Sequence, residues 1–155
     1  MRRKRIGKMK LIRVYRFGSK VRLRIRVGDF SVVTSALVNS GFESDEAELI
    51  LPPPLADVLG VGGTDIAEYR VAGGGVTLGA RISEELRVSL VLEDRELCEV
   101  PAVGTVLPGE DEVIVSDKLA STLGIVILDP YEGLRCLRDE LGKKVRRSVG
   151  PQVWR

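Results

Sequence analysis

The sequence predicts an all-β domain, either a barrel or a sandwich, with one or two short helices. Short segments rich in branched apolar residues alternate with polar residues at the two-residue period of a strand. Turn signals that contain glycine and aspartate separate these segments, and the helical patterns between them are short. With 155 residues, 44% of them hydrophobic, the chain is long enough to bury one core.

The first half of the chain begins with three predicted strands joined by tight turns. The clearest covers residues 21–27, in which apolar residues alternate without exception with Arg22, Arg24 and Arg26, so that the arginines share the solvent face. One to two helical turns are predicted after three consecutive prolines, and a glycine ends them. The elements predicted in this half are strands over residues 11–17, 21–27, 30–38 and 49–51 and the helical segment 55–60.

The second half contains further antiparallel strands and one short helix. Gly73, Gly74 and Gly75 are predicted to form the tip of a hairpin between strands over residues 66–72 and 76–82. Ser116 or Asp117 can cap the short helix that precedes Gly124. The other elements predicted here are strands over residues 86–92, 97–106, 112–115 and 125–128, the helix 118–123 and a basic helical segment around 137–145.

Charge is strongly segregated along the chain. Before Asp29 there are 12 Lys and Arg and no acidic residue, whereas Asp29 to Glu132 holds 5 basic and 20 acidic residues. The remainder holds 7 basic and 2 acidic residues. We therefore divide the chain into a basic arm over residues 1–10, a domain over 11–133 and a basic extension over 134–155. An acidic body with basic ends favours self-association or a polyanionic partner.

The composition excludes several kinds of site. The chain has no histidine, so a Ser-His-Asp triad, a Cys-His dyad and a histidine-bound zinc are excluded. Cys98 and Cys136 lack the spacing of metal ligands, and we expect two free thiols, no metal and no cofactor. The charged start of the chain is not followed by an apolar segment, and no run reaches the roughly 18 apolar residues of a membrane span. We therefore expect a cytoplasmic protein without a membrane segment.

The most informative motif is the triplet Asn39-Ser40-Gly41. It follows an apolar strand pattern directly, so that a short polar side chain, a hydroxyl and a glycine are presented at a strand end. Asn and Gly also favour turns for conformational reasons alone, so the triplet by itself fits an ordinary turn as well.

Four segments in order resemble the retropepsin-like aspartic proteases, most of all their single-domain archaeal members. Val38-Asn39-Ser40-Gly41 stands where that family has apolar-Asp-Ser/Thr-Gly. The Leu-Pro to Leu-Gly segment over residues 51–60, the glycine-tipped hairpin and the apolar strand, short helix and Leu-Gly over 113–124 follow in the family's order. The resemblance implies a closed acid-protease barrel with half an active site per chain, hence a homodimer that acts on a peptide or protein substrate.

The same resemblance assigns roles to the site residues. Asn39 takes the place of the catalytic aspartate, Ser40 would brace the loop by a hydrogen bond across the dimer, and Gly41 completes the triplet. Gly73, Gly74 and Gly75 would form the tip of a mobile flap over the substrate; a flexible loop without a ligand role is the alternative. Ser116 departs from the family, in which many members have glycine after the apolar strand.

Three interpretations of Asn39 remain open. An amide cannot take a proton from water near neutral pH, so the chain as written is predicted to be inactive or nearly so. In the first interpretation, Asn39 is an introduced replacement of an aspartate. In the second, the chain is a natural non-catalytic relative that serves as a peptide-binding module. In the third, Asn39 is a turn residue in an unrelated fold.

A third function, a basic-armed β-barrel that binds nucleic acid, requires the arginine stripe to join the basic arm and to be flanked by aromatic residues. The preferred interpretation is a solvated face or a stripe that is paired with the acidic body.

Overall fold

The strands of the sequence close into a barrel in a computed structural model that describes residues 19–38, 41–71 and 73–155. The predicted strand over 11–17, the basic arm, Asn39 and Ser40 lie outside these residues. The strands are β1 Lys20–Val27, β2 Phe30–Val38, β3 Glu48–Leu51, β4 Gly63–Arg70, β5 Val76–Ile82, β6 Leu86–Leu90, β7 Val100–Val106, β8 Val113–Val115, β9 Ile125–Asp129, β10 Leu134–Leu137 and β11 Arg146–Arg147. The helices are α1 Pro53–Leu59, α2 Asp117–Thr122 and a 3-10 turn Arg138–Glu140.

Six strands form the closed barrel, in the order β1–β2–β8–β3–β7–β6 and back to β1. The β2–β8 and β3–β7 pairs are parallel and the other pairs of the ring are antiparallel. The β4–β5 hairpin continues the sheet outward from β7, through the pairing of Ala80 with Val106. A second sheet, β9–β10–β11, completes the described part of the chain. The predicted all-β barrel with short helices is therefore confirmed.

The barrel interior is built from the apolar positions of the alternating strands. In β1, Val21, Leu23 and Ile25 are completely buried, while the arginines between them are more exposed. The two helices add buried leucines, Leu55 from α1 and Leu119 from α2, to the same core. β1 thus uses its two-residue period to present one face to the core and one to its surroundings.

The predicted helix around residues 137–145 is wrong. Leu134–Leu137 extends as β10 against β9, which buries Cys136 and Leu137, and a 3-10 turn follows. The Glu140 carboxylate accepts the Leu137 backbone N–H at 2.9 Å, and Gly142 has a positive φ of 74° that ends the turn. Strand pairing outweighs the local helical tendency of this segment because it removes the Cys136 and Leu137 side chains from water.

The predicted basic extension packs against the barrel. The Val149 N–H donates to the Lys20 carbonyl at 3.1 Å. The Trp154 indole N–H donates to Thr34 Oγ1 at 2.9 Å, and its backbone N–H donates to the Asp111 carbonyl at 2.8 Å. Residues 134–155 therefore form part of the described fold.

Two further findings concern sequence-based expectations. Cys98 is exposed and Cys136 is buried, and both are free thiols. Within the described ranges, no helix has the length and apolar content that crossing a bilayer requires.

Candidate active site

The candidate triplet begins where β2 ends against β8. Val38 is the last residue of β2, pairs in parallel with Val115 and donates its N–H to the Ser19 carbonyl at 2.9 Å. Asn39 and Ser40 lie outside the described residues, and Gly41 is an exposed turn residue. The structure thus describes the residues on both sides of Asn39 and Ser40.

Ser116 ties the strands beside this position to the start of α2. Its side chain is completely buried, and Oγ accepts the Leu119 N–H at 3.2 Å and the Glu48 N–H at 3.0 Å. The same hydroxyl donates to the Glu46 carbonyl at 3.3 Å. Ser116 is therefore the N-cap of α2, and it joins that helix to β3 by bonds that glycine could not make.

The segment that follows Gly41 is held against the first turn of α2. The Asp117 N–H donates to the Phe42 carbonyl at 3.0 Å, and the Asp117 carboxylate accepts the Ser44 N–H at 3.2 Å. Of the two residues predicted to cap α2, Ser116 takes that role and Asp117 anchors this segment. The chain on the C-terminal side of the triplet is thus fixed by backbone and side-chain bonds.

The predicted glycine-tipped hairpin is present between β4 and β5. Arg70 pairs with Val76, and the Val71 N–H donates to the Gly75 carbonyl at 2.9 Å across the turn. Gly73 and Gly74 have φ values of 98° and 86°, which side chains with a Cβ rarely adopt. The sequence therefore placed the hairpin and its tip correctly, while its role as a flap stays a prediction.

Tyr69 connects this hairpin to the segment after the triplet. Its ring packs edge-to-face on Phe42, with ring centroids 5.9 Å apart and an angle of 74° between the planes. Its hydroxyl donates to the buried Glu48 carboxylate and lies 2.9 Å from Thr105 Oγ1. Glu48 also accepts bonds from Thr105 Oγ1 at 2.9 Å and Ser44 Oγ at 3.0 Å.

This network fixes the protonation state of the phenol. Burial, followed by the hydrogen bond to Glu48, raises the pKa of Tyr69 well above its usual range. Tyr69 is therefore a neutral hydrogen-bond donor to Glu48 near neutral pH. Tyr69 pairs with Thr77, close to the turn of the hairpin. One phenol therefore ties the tip end of the hairpin to β3 and β7.

We expect a Tyr69→Phe substitution to loosen the hairpin. It removes one donor from the buried Glu48 carboxylate but keeps the ring on Phe42, so the free energy of unfolding should fall by about 1–3 kcal/mol. Denaturant unfolding measures the loss, and hydrogen exchange should become faster in residues 63–82. Tyr131→Phe, at a ring that is 65% exposed, is the matched control and should change stability by less than about 0.5 kcal/mol. Equal effects of the two substitutions would contradict the role of Tyr69 in tying the hairpin to β3 and β7.

Two hollows lie beside the end of β2. One, of about 240 Å³, is lined by Val38, Asp117 and Arg138 together with apolar residues of α2 and β9. The other, of about 590 Å³ and more open, is lined by Ser44, Asp45 and Lys118. The smaller hollow thus has a mixed polar and apolar lining, and the larger one has a polar lining.

The network of Glu48, Tyr69 and Thr105 was not predicted from the sequence. These residues are far apart along the chain and belong to three strands, so no local pattern connects them. The one available signal was Glu48 itself, a carboxylate directly before the apolar run Leu49–Leu51 and therefore at risk of burial. In the part of the chain that the structure describes, no group of three or more acidic or cysteine side chains could hold a metal ion.

Comparison with known proteins assigns this chain to no family. The sequence matches no protein-family model, and no curated protein is detectably similar to it.

Proposed function

We propose that this chain is a retropepsin-like domain, an aspartic endopeptidase scaffold that forms a homodimer and in which Asn39 occupies the catalytic position. One observation carries the proposal. The strand that precedes the triplet ends inside a closed barrel, beside β8 and α2, and a glycine-tipped hairpin is latched to the residue after the triplet through Tyr69 and Phe42. The order of triplet, hairpin, apolar strand and short helix is the order that the resemblance implies.

In the proposed chemistry, one loop carboxylate from each protomer faces the other across the dimer axis. Two such groups cannot both ionise, so they share one proton. One activates a water molecule as a base, and the other donates a proton to the substrate carbonyl. Two Asn39 side chains could still hydrogen-bond to a peptide, but neither can serve as the base. The chain as written therefore binds peptides without cleaving them at a useful rate.

Asn39 itself favours the second candidate, a peptide-binding module that has the same fold and no catalytic role. The two candidates differ in what an aspartate at residue 39 would do, because a scaffold that has lost other catalytic contacts stays inert after the substitution. The third candidate, nucleic-acid binding, has less support. Arg24 is paired with Glu96 and Arg26 with Glu99, so two of the three stripe arginines are already neutralised.

The dimer is tested by sedimentation velocity over a range of concentrations. We expect a species of twice the 17.0 kDa chain mass, because half of each site is supplied by each protomer. Ser40→Ala should raise the dimer dissociation constant about tenfold or more, since it removes the proposed hydrogen bonds across the axis. Ser83→Ala, at an exposed turn serine, is the matched control. A chain that remains monomeric at all concentrations would contradict the half-site arrangement.

A further inference from the structure

A cavity of about 560 Å³ lies between the barrel and the C-terminal extension. On the barrel side it is lined by Arg22 and by the segment after β6, and on the other side by β10, β11 and the residues that follow. The charged residues of its lining are Arg22, Glu93, Asp94, Arg135, Lys144, Arg146 and Arg147. Five basic and two acidic residues therefore border one partly open cavity.

Arg22 differs from the other arginines of the β1 stripe. Arg24 bonds Glu96, and Arg26 makes a two-pronged pair with Glu99 at 2.8 Å. Within the described ranges, no carboxylate lies within ion-pair distance of Arg22, which borders the cavity. The stripe is thus neutralised except at the residue that faces the extension.

Arg135 brings a buried charge to the same cavity. It is 5% exposed, and its guanidinium donates to the Arg147 carbonyl. Glu140, the acid whose charge acts on Arg135, is engaged by Arg146 at 2.6 Å and by Arg95 at 3.4 Å. Burial and the neighbouring Arg146 lower the pKa of Arg135, as expected of a cation that lacks its own counter-charge.

The remaining charges of the lining do not supply that counter-charge. Asp94 is bound by Lys144 at 2.9 Å and by Arg146 at 2.8 Å, so these three form a closed group with Glu140. Glu93 is an exposed carboxylate at the border of the cavity. Arg22, Arg135 and Arg147 are therefore three guanidiniums opposed by one exposed acid.

We propose that this cavity binds a phosphate group, held by Arg22 from the barrel and by Arg135 and Arg147 from the extension. One guanidinium can donate two parallel N–H bonds to two phosphate oxygens. A doubly charged anion also balances the excess positive charge better than a carboxylate does. The volume exceeds that of a phosphate ion and falls within the range of small-molecule sites. The group is thus either free phosphate or the phosphate of a small monoester.

Because the cavity lies between the barrel and the extension, an anion bound there also holds these two parts together. Its partners belong to two parts of the chain, and the extension is otherwise joined to β1 here by the Val149 N–H to Lys20 carbonyl bond and by the Lys20 N–H to Ser148 Oγ bond at 3.0 Å. An anion that bridges Arg22 and Arg147 therefore secures the extension on the barrel. This site is separate from the proposed peptide site and does not depend on it.

Isothermal titration with inorganic phosphate, glycerol 3-phosphate and adenosine monophosphate, at constant ionic strength, tests the proposal. We expect saturable binding of one phosphate per chain, weakened about tenfold in Arg22→Gln and in Arg147→Gln. Both arginines are exposed, so these variants should fold. Arg70→Gln, an exposed arginine on β4 outside the cavity, is the matched control and should bind as the parent does. Tighter binding of one ester identifies the source of the phosphate and supports the site.

Hydrogen exchange supplies a second measurement. Phosphate should slow exchange at the Ser148 and Val149 amides in the parent and leave it unchanged in Arg22→Gln. Two results would overturn the proposal. One is the absence of saturable phosphate binding up to millimolar concentration. The other is equal weakening in Arg70→Gln and in the cavity variants, which would indicate only general attraction to a basic surface.

Discussion

An Asn39→Asp variant is expected to cleave peptides that the parent chain leaves intact. The substitution restores a titratable group at the end of β2, where the proposed dimer places two such groups face to face. General acid–base catalysis contributes about 10²–10⁴ in rate, so we expect a gain of at least about 10² over the parent. Pepstatin should abolish the gain, and the pH profile should be bell-shaped, because the two carboxyls titrate as a pair.

Asn39→Ala is the matched control for this prediction. It changes the same residue without supplying a carboxyl, so it should be as inert as the parent. If the Asn39→Asp variant is folded and cuts no member of a broad peptide library, the protease interpretation loses its main support. The peptide-binding module then becomes the preferred function.

The second large effect is expected at the buried pair of Lys20 and Glu112. Their side chains are 1% and 4% exposed, and Lys20 Nζ lies 3.9 Å from Glu112 Oε1. Burial raises the pKa of Glu112 to about 7, with Lys20 opposing the shift and Asp111 and Glu110 adding to it. Burial likewise lowers the pKa of Lys20, against the attraction of Glu112.

Lys20→Met should therefore destabilise the fold in a pH-dependent way. It leaves a buried carboxylate without its lysine, which costs about 3–5 kcal/mol where Glu112 is ionised. The folded state binds the Glu112 proton more tightly than the unfolded state does, so the favourable contribution of the neutral acid is complete below pH 4.5 and is lost as the pH rises through about 7. The loss in Lys20→Met should accordingly be large at pH 8.5 and small at pH 5.

A double substitution separates this account from a simple packing defect. Lys20→Met combined with Glu112→Leu should recover most of the lost stability at pH 8.5, because no buried charge remains. Lys118→Met, at an exposed lysine of α2, should change the free energy of unfolding by less than about 0.5 kcal/mol. A loss in Lys20→Met that is the same at both pH values, or a double variant less stable than either single one, would contradict the account.

The burial of the Lys20 side chain could not be predicted from the local sequence pattern. Lys20, Arg22 and Arg24 occupy alternate positions of β1, so the two-residue pattern predicts that the Lys20 side chain faces solvent. The side chain is buried instead, because Ser148 and Val149 of the extension bond the Lys20 backbone and cover that end of the strand. A residue buried by a segment more than a hundred positions away leaves no trace in the local pattern.

The elements that were predicted well are those whose signal is local. The two-residue alternation of β1, the glycine turn between β4 and β5 and the cap of α2 each depend on neighbouring residues. The Glu48–Tyr69–Thr105 network and the proposed phosphate site depend on contacts between distant segments. The strand β10 pairs with its neighbours β9 and β11, but its sequence has a helical pattern that conceals this pairing. At the candidate site, the sequence predicted the end of β2 and the tip of the hairpin, but not the phenol that joins them.

Mixed dimers test the central claim most directly. Parent and Asn39→Asp chains are unfolded and refolded together at several ratios, and peptide cleavage is measured at constant total protein. If each protomer supplies one carboxyl, activity should follow the square of the variant fraction, so that an equal mixture retains about one quarter of the pure variant's activity. Activity proportional to the variant fraction, about one half in the equal mixture, would show that one chain holds a complete site and would contradict the dimeric retropepsin-like account.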